Sequence, residues 1–119
     1  QRVEKVRVNG SRSKLVSDVA ASVRRHICEP MSVETVAKEM YISRTHLSAE
    51  FHRQAGITLS DYIQKEKTEE AKRILRYTDK SLSAISSYLG FSSQSHFTRA
   101  FKKFAGITPG EYRQKHEGL

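Results

Sequence analysis

Residues 43–62 read SRTHLSAEFHRQAGITLSDY, and residues 93–112 read SQSHFTRAFKKFAGITPGEY. Shifted by 50, eight of the twenty positions coincide: Ser43/Ser93, His46/His96, Phe51/Phe101, Ala55/Ala105, Gly56/Gly106, Ile57/Ile107, Thr58/Thr108 and Tyr62/Tyr112. Upstream the shift is 49, pairing Ser32 with Ser81 and Met40 with Leu89, so the second copy carries one extra turn residue. The chain contains an internal duplication.

Each copy reads as a short helix, a tight turn and a longer helix, the outline of a helix-turn-helix. In the first, Ser32 caps a helix whose inner face is Val33, Val36, Ala37 and Met40. Ser43 caps the next, with Leu47 and Phe51 inward and Gly56 as its stop. In the second, Ser81 caps a helix with Leu82, Ile85 and Leu89 inward. Ser92 or Ser93 opens the following one, with Phe97, Phe101 and Phe104 inward and Gly106 as the stop. Thr108-Pro109-Gly110-Glu111 is a capping box with proline at the first helical position, starting a final helix through about His116.

Outward from the copies, Leu15, Val16, Val19, Val23 and Ile27 mark one face of a first helix, capped by Ser13 and ended by Pro30. Residues 1–13 are basic, carry the turn signal Asn9-Gly10-Ser11, and read as a linker remnant. The alternation of Val6 and Val8 would also suit a short strand of a neighbouring domain. Between the copies runs a helix from about Ser60 to Tyr77. Its ends are apolar (Tyr62, Ile63; Ala71, Ile74, Leu75), but residues 64–70, QKEKTEE, are not. A polar waist suggests a strut between two small cores, lying outside both as a solvated face. Lys65–Glu69 and Glu69–Arg73 at i,i+4 would support it locally. The expected organisation is all-α: a first subdomain at 14–59, a linking helix at 60–77 and a second subdomain at 78–119.

The composition narrows the function. At 119 residues the chain suits one domain, or two small units leaning on each other. No apolar run exceeds three residues, which excludes a transmembrane helix and a secretory signal. Cys28 stands alone, leaving no internal disulfide or thiolate zinc site and fitting a reducing cytoplasm. Twenty-one basic against thirteen acidic residues give a net charge of +8, which favours an anionic partner, nucleic acid ahead of a membrane surface. No paired acids, glycine-rich phosphate loop or nucleophile with a base stand out, so no enzyme activity and no cofactor are expected. No metal is expected either: His46 and His96 lie one to a unit, and His26 and Cys28, two apart, do not share a helix face.

The helical wheel selects the outward faces. With the phenylalanines inward, Ser95, Thr98, Arg99 and Lys102 share the outside of the second long helix, and residues 91–110 hold no acid at all. The same face of the first copy is Thr45, Ser48, Ala49 and His52, with Arg44 and Arg53 nearby. Arg99 can pair bidentately with guanine and Gln94 with adenine, whereas Thr45 and Ser48 are ambiguous donors and Ala49 offers a methyl contact to thymine. The second helix is therefore expected to read bases more sharply. His52, Arg53, His96, Lys102 and Lys103 are the expected phosphate contacts, which position without specifying. The other class weighed is a helical module binding RNA or protein, which would not need an acid-free recognition helix.

Residues 90–113, GFSSQSHFTRAFKKFAGITPGEYR, closely resemble the signature of the AraC/XylS family of bacterial transcription regulators, and the likeness extends from about Leu15 to Arg113. The resemblance implies a seven-helix domain in which two helix-turn-helix units, joined by a long helix, enter successive major-groove segments of double-stranded DNA. Carried over by motif position, it implies base-edge contacts from Arg44, Thr45, Ser48, Ala49, Gln94, Ser95, Thr98 and Arg99. It also implies a cytoplasmic regulator that acts on RNA polymerase through its full-length form. A sensing or dimerising domain is expected upstream, since the chain opens on Gln1 and reads as a piece of a longer protein. The family usually has arginine then an aliphatic residue where this chain has Lys67-Thr68, which weakens the apolar stripe of the linking helix.

Overall fold

The computed structural model describes residues 10–117, with side chains from Lys14 onward. The described residues form seven helices: α1 (Gly10–Arg25), α2 (Val33–Met40), α3 (Arg44–Ala55), α4 (Leu59–Tyr77), α5 (Leu82–Tyr88), α6 (Gln94–Ala105) and α7 (Pro109–His116). The readings at residues 1–9, tail or short strand, lie outside the described residues. α1 starts at Gly10, so Ser13 lies inside the helix and not at its cap. No strong breaker stands between Gly10 and Ser13, and serine and arginine extend a helix readily enough once it has formed.

Six of the helices open on a hydroxyl cap. Ser32, Ser43, Thr58, Ser81, Ser93 and Thr108 each accept the backbone N–H three residues on, satisfying a donor the helix leaves unpaired. Thr58 therefore starts α4 one residue earlier than the expected Ser60. Gly56 and Gly106 close α3 and α6 at φ 78° and 86°, a left-handed conformation that glycine adopts without a Cβ penalty.

Two cores result, one at each end of α4. The first gathers Val19 and Val23 of α1, Val33, Val36 and Ala37 of α2, Leu47 and Phe51 of α3, and Leu59 and Ile63 of α4. The second gathers Ala71, Ile74 and Leu75 of α4, Ile85 of α5 with Leu89 at its C-cap, and Phe97 and Phe101 of α6. The duplication persists in the packing: Phe51 meets Tyr62 at 5.3 Å between ring centres, and Phe101 meets Tyr112 at 5.6 Å. Phe104 departs from expectation. It is only half-buried, and Ala100 takes the inward place beside Phe97 and Phe101. Phe104 keeps the inward phase, only about 20° from Phe97, but stands in the last turn of α6, where the Lys103 ammonium lies over its ring at 5.2 Å.

The waist of α4 is the larger correction. Lys65 and Glu69 face solvent, but Lys67 and Thr68 are buried, at 4% and 1% exposure. The Thr68 hydroxyl donates to its own helix at the Gln64 carbonyl, 2.9 Å away, so a polar residue fills an aliphatic place without an orphaned group. Lys67 donates to backbone carbonyls from both halves of the molecule. The expected i,i+4 ion pairs are replaced by i,i+3 pairs, Lys72–Glu69 at 2.9 Å and Arg73–Glu70. At the far end, Arg113 donates to the carbonyls of Leu75 (3.2 Å) and Thr78 (3.1 Å), covering the C-terminus of α4.

A polar cluster ties α1 to α2. Glu39 accepts from Ser22 at 2.8 Å, from His26 at 2.9 Å and from the Arg25 guanidinium. Arg25 foremost, then Ser22, holds the Glu39 carboxyl down at about 2, against an ordinary 4.5. A carboxylate with a depressed pKa stabilises the fold above its unfolded value and loses that contribution as pH falls through its folded value. Glu39→Gln should therefore melt below the parent at pH above 4.5, and the gap should close as pH falls toward 2. Thermal melts across that window test it; a constant gap would mean the charge is not what matters.

Candidate nucleic-acid interface

The capped starts of α3 and α6 fix which side chains face out. Ser43 accepts the His46 N–H at 3.1 Å and Ser93 the His96 N–H at 3.0 Å, setting the same phase in both helices. With Leu47 and Phe51 inward on α3, the residues Arg44, Thr45, Ser48, Ala49 and His52 line one open depression, joined by Thr58. With Phe97, Ala100 and Phe101 inward on α6, a second depression is lined by Gln94, Ser95, Thr98 and Arg99. All eight expected base-edge residues thus lie on two equivalent surfaces, each fully or partly exposed.

The charges on these surfaces are not equivalent. Arg53 is engaged by Glu50, with Nη2 to Oε1 at 2.6 Å and Nε to Oε2 at 3.3 Å. That guanidinium, with Gln54 donating to the same carboxylate, holds Glu50 down at about 2. Lys103 reaches across to Asp61 in the first turn of α4, at 3.0 Å. Arg44, Arg99 and Lys102 have no ion-pair partner among the described residues and stand exposed. Since an exposed pair is worth at most about 1 kcal/mol, Arg53 and Lys103 can exchange partners, whereas Arg44 and Arg99 need none, and Lys102 feels only the longer-range field of Glu111. The two histidines also differ. His46 is exposed, whereas His96 sits half-buried, with Nδ1 3.3 Å from the Ser92 hydroxyl and its ring edge-on to Phe91 at 5.2 Å.

Sequence reasoning left one neighbouring surface unassigned. Ser32, Glu34, Thr35, Lys38 and Arg44 line a depression between α2 and the start of α3. The first helix of a helix-turn-helix crosses the DNA backbone, and Lys38, four residues after Glu34 on the outer side of α2, was the available signal.

Residues 36–115 match the model of a helix-turn-helix domain family. The regulatory protein SoxS of Escherichia coli is 32% identical over 105 residues, spanning 88% of this chain and 98% of SoxS. A transcriptional regulator of Chromobacterium violaceum, described as containing an AraC-type DNA-binding domain, superposes with a TM-score of 0.81 at 27% identity, over 92% of this chain and 98% of that one. The chain belongs to the AraC-type helix-turn-helix family. The DNA-binding domain of the global transcriptional factor AdpA, solved in complex with a target DNA, has the same AraC-type fold at a TM-score of 0.77 and 26% identity, covering 86% of this chain and 91% of that domain. This AraC-type chain spans only 33% and 14% of two Bacillus subtilis regulators that it also matches. Among the described residues no helix is long and apolar enough to cross a membrane.

Proposed function

We propose that this domain reads double-stranded DNA as part of a bacterial transcription regulator, with α3 and α6 entering successive major-groove segments on one face of the duplex. The observation that carries this reading is the pair of equivalent exposed helix faces, one of them free of acids and presenting unpaired Arg99 and Lys102. The reach fits. Successive major-groove faces are ~34 Å apart, and the molecule is 44 Å along its longest axis. The complex of AdpA with DNA supports the same assignment by likeness of fold. Within it, Arg99 and Gln94 are the sharpest base readers, Arg44, Thr45, Ser48, Ala49, Ser95 and Thr98 add further base-edge contacts, and Lys102 supplies charge near the backbone.

The experiment is a duplex shift assay against single-stranded RNA of matched length, followed by a salt titration on the best duplex from a random library. Log affinity should fall linearly with log salt, at about −0.9 per phosphate neutralised; a flat response, or a preference for the RNA, overturns the reading. On the same duplex Arg99→Ala should cost roughly 1–3 kcal/mol and relax the base preference at one position. Lys102→Ala should weaken all sequences alike and reduce the steepness of the salt slope by about one. If the lysine change altered base preference and the arginine change did not, the two roles would have to be exchanged.

A further inference from the structure

The first core ends on α4 at Ile63 and the second begins at Ala71. Lys67 lies midway, four residues from each, and so on the same helix face. At 4% exposure it is buried where the two halves meet. Its ammonium donates to the carbonyls of Ile27 (2.8 Å) and Glu29 (2.7 Å), both in the segment leaving α1, and to the carbonyl of Leu89, which closes α5. Two acceptors belong to the first subdomain and one to the second. An ammonium has three donors and no acceptor, so every N–H is used. The Phe91 ring, just beyond Leu89, lies 5.8 Å from the nitrogen.

The halves also touch backbone to backbone. A Cβ placed on Gly90 would lie 2.4 Å from the carbonyl carbon of Glu29 and 2.6 Å from the nitrogen of Pro30. The contact is therefore too close for any side chain, and Lys67 is the polar bolt beside it. Lys103–Asp61 is a second tie between α6 and the start of α4, but it is exposed and so worth little.

We propose that Lys67 is a positioning residue for DNA recognition: by binding carbonyls of both subdomains it fixes their rotation about α4, so that α3 and α6 engage two grooves at once. It makes no DNA contact itself. This rests on the two-groove reading above. Two linked binding units gain affinity because the second contact is intramolecular, and that gain disappears when the geometry forbids simultaneous engagement. A lysine that sets the geometry should therefore act on the linkage and leave each half-contact alone.

The test uses fluorescence anisotropy with two duplexes. One carries the full site selected from a random library, and the other the same site with the half read by α6 scrambled. Lys67→Met should lose about a hundredfold in full-site affinity, approach the parent's half-site affinity, and keep that half-site affinity unchanged. Its footprint should shorten from two grooves to one. Lys67→Arg, which retains the charge and several donors, should restore most of the full-site binding. If Lys67→Met fails to fold, Lys67→Gln carries the same comparison. Full-site affinity unchanged in a folded variant overturns the proposal. So does a proportional loss on both duplexes, which marks a merely structural role. If the parent itself binds both duplexes equally, the two-groove reading fails first, before any Lys67 variant is read.

Discussion

Inserting one alanine after Lys67 should nearly abolish binding to a two-groove site while leaving two folded cores. A single residue turns everything beyond it by about 100° about the helix axis and adds only ~1.5 Å. Ile63 and Lys67 keep their register with the first core, and the Lys67 ammonium keeps the Ile27 and Glu29 carbonyls. Ala71, Ile74 and Leu75 rotate together with α5, α6 and α7, which they hold by packing. The Leu89 carbonyl then leaves the ammonium, and Gly90 leaves the Glu29–Pro30 backbone. The result is a protein with two intact cores, a severed junction and one reader turned away from its groove. Affinity for the full site should fall by roughly a hundredfold or more, with half the footprint protected. Four alanines would bring the rotation back to within about 40° but lengthen the helix by ~6 Å, so they should recover binding only in part. The polar character of residues 64–70 suggested a solvated waist outside both cores; Lys67 and Thr68 are buried instead, so a lowered melting temperature should accompany the loss of binding. Unchanged affinity and footprint in the one-residue insertion would remove the rigid two-groove model.

What the sequence made legible was what local periodicity encodes. Five of the six hydroxyl caps, two glycine stops and the inward Leu47, Phe51, Phe97 and Phe101 each depend on residues within about one helical turn. The outward base-edge candidates followed by subtraction, because a helix with its inner face assigned has little freedom left. Interactions between distant residues were not legible. Lys67 is four residues from both Ile63 and Ala71 and so on the inner face, but its charge reads as solvated, and the carbonyls that bury it lie 38 and 40 residues before it and 22 after it. Likewise Lys103 meets an acid 42 residues away, whereas the Glu50–Arg53 pair, three apart on one helix, was there to be read. Phe104 fails for a third reason. Its hydrophobicity and phase promised burial, but it stands in the last turn of α6, and the second core stops at Phe101.

Gly90→Ala should be the most damaging single-methyl change in the chain, and the duplication supplies its controls. Gly90 occupies the helix-turn-helix turn of the second copy, where the first copy has Tyr41. Both adopt the left-handed conformation, at φ 76° and 59°. The tyrosine tolerates it because its side chain meets nothing and stands 94% exposed. The conformational penalty for a non-glycine residue there is about 1–2 kcal/mol, and a glycine in its place would recover that at an entropic cost of about 0.5–1 kcal/mol. Tyr41→Gly should accordingly shift stability by no more than about 1.5 kcal/mol. Gly56→Ala and Gly106→Ala add a methyl into open space at φ 78° and 86°, so they should cost only the conformational 1–2 kcal/mol or so. At Gly90 the same methyl also meets the Glu29 carbonyl carbon at 2.4 Å, and a backbone atom, unlike the tip of a flexible side chain, cannot swing aside. Overpacking of this kind adds about 1–3 kcal/mol, which brings the expected total to roughly 2–5 kcal/mol. The strain is relieved only by moving the α5–α6 turn off the segment after α1, and that movement carries the Leu89 carbonyl away from Lys67. Gly90→Ala should thus lower the urea midpoint well below that of Gly106→Ala, and in the fraction that remains folded it should cut full-site DNA affinity more than half-site affinity. If the two glycine variants proved equally stable, the subdomains would not meet at Gly90, and the fixed junction would lose its backbone contact.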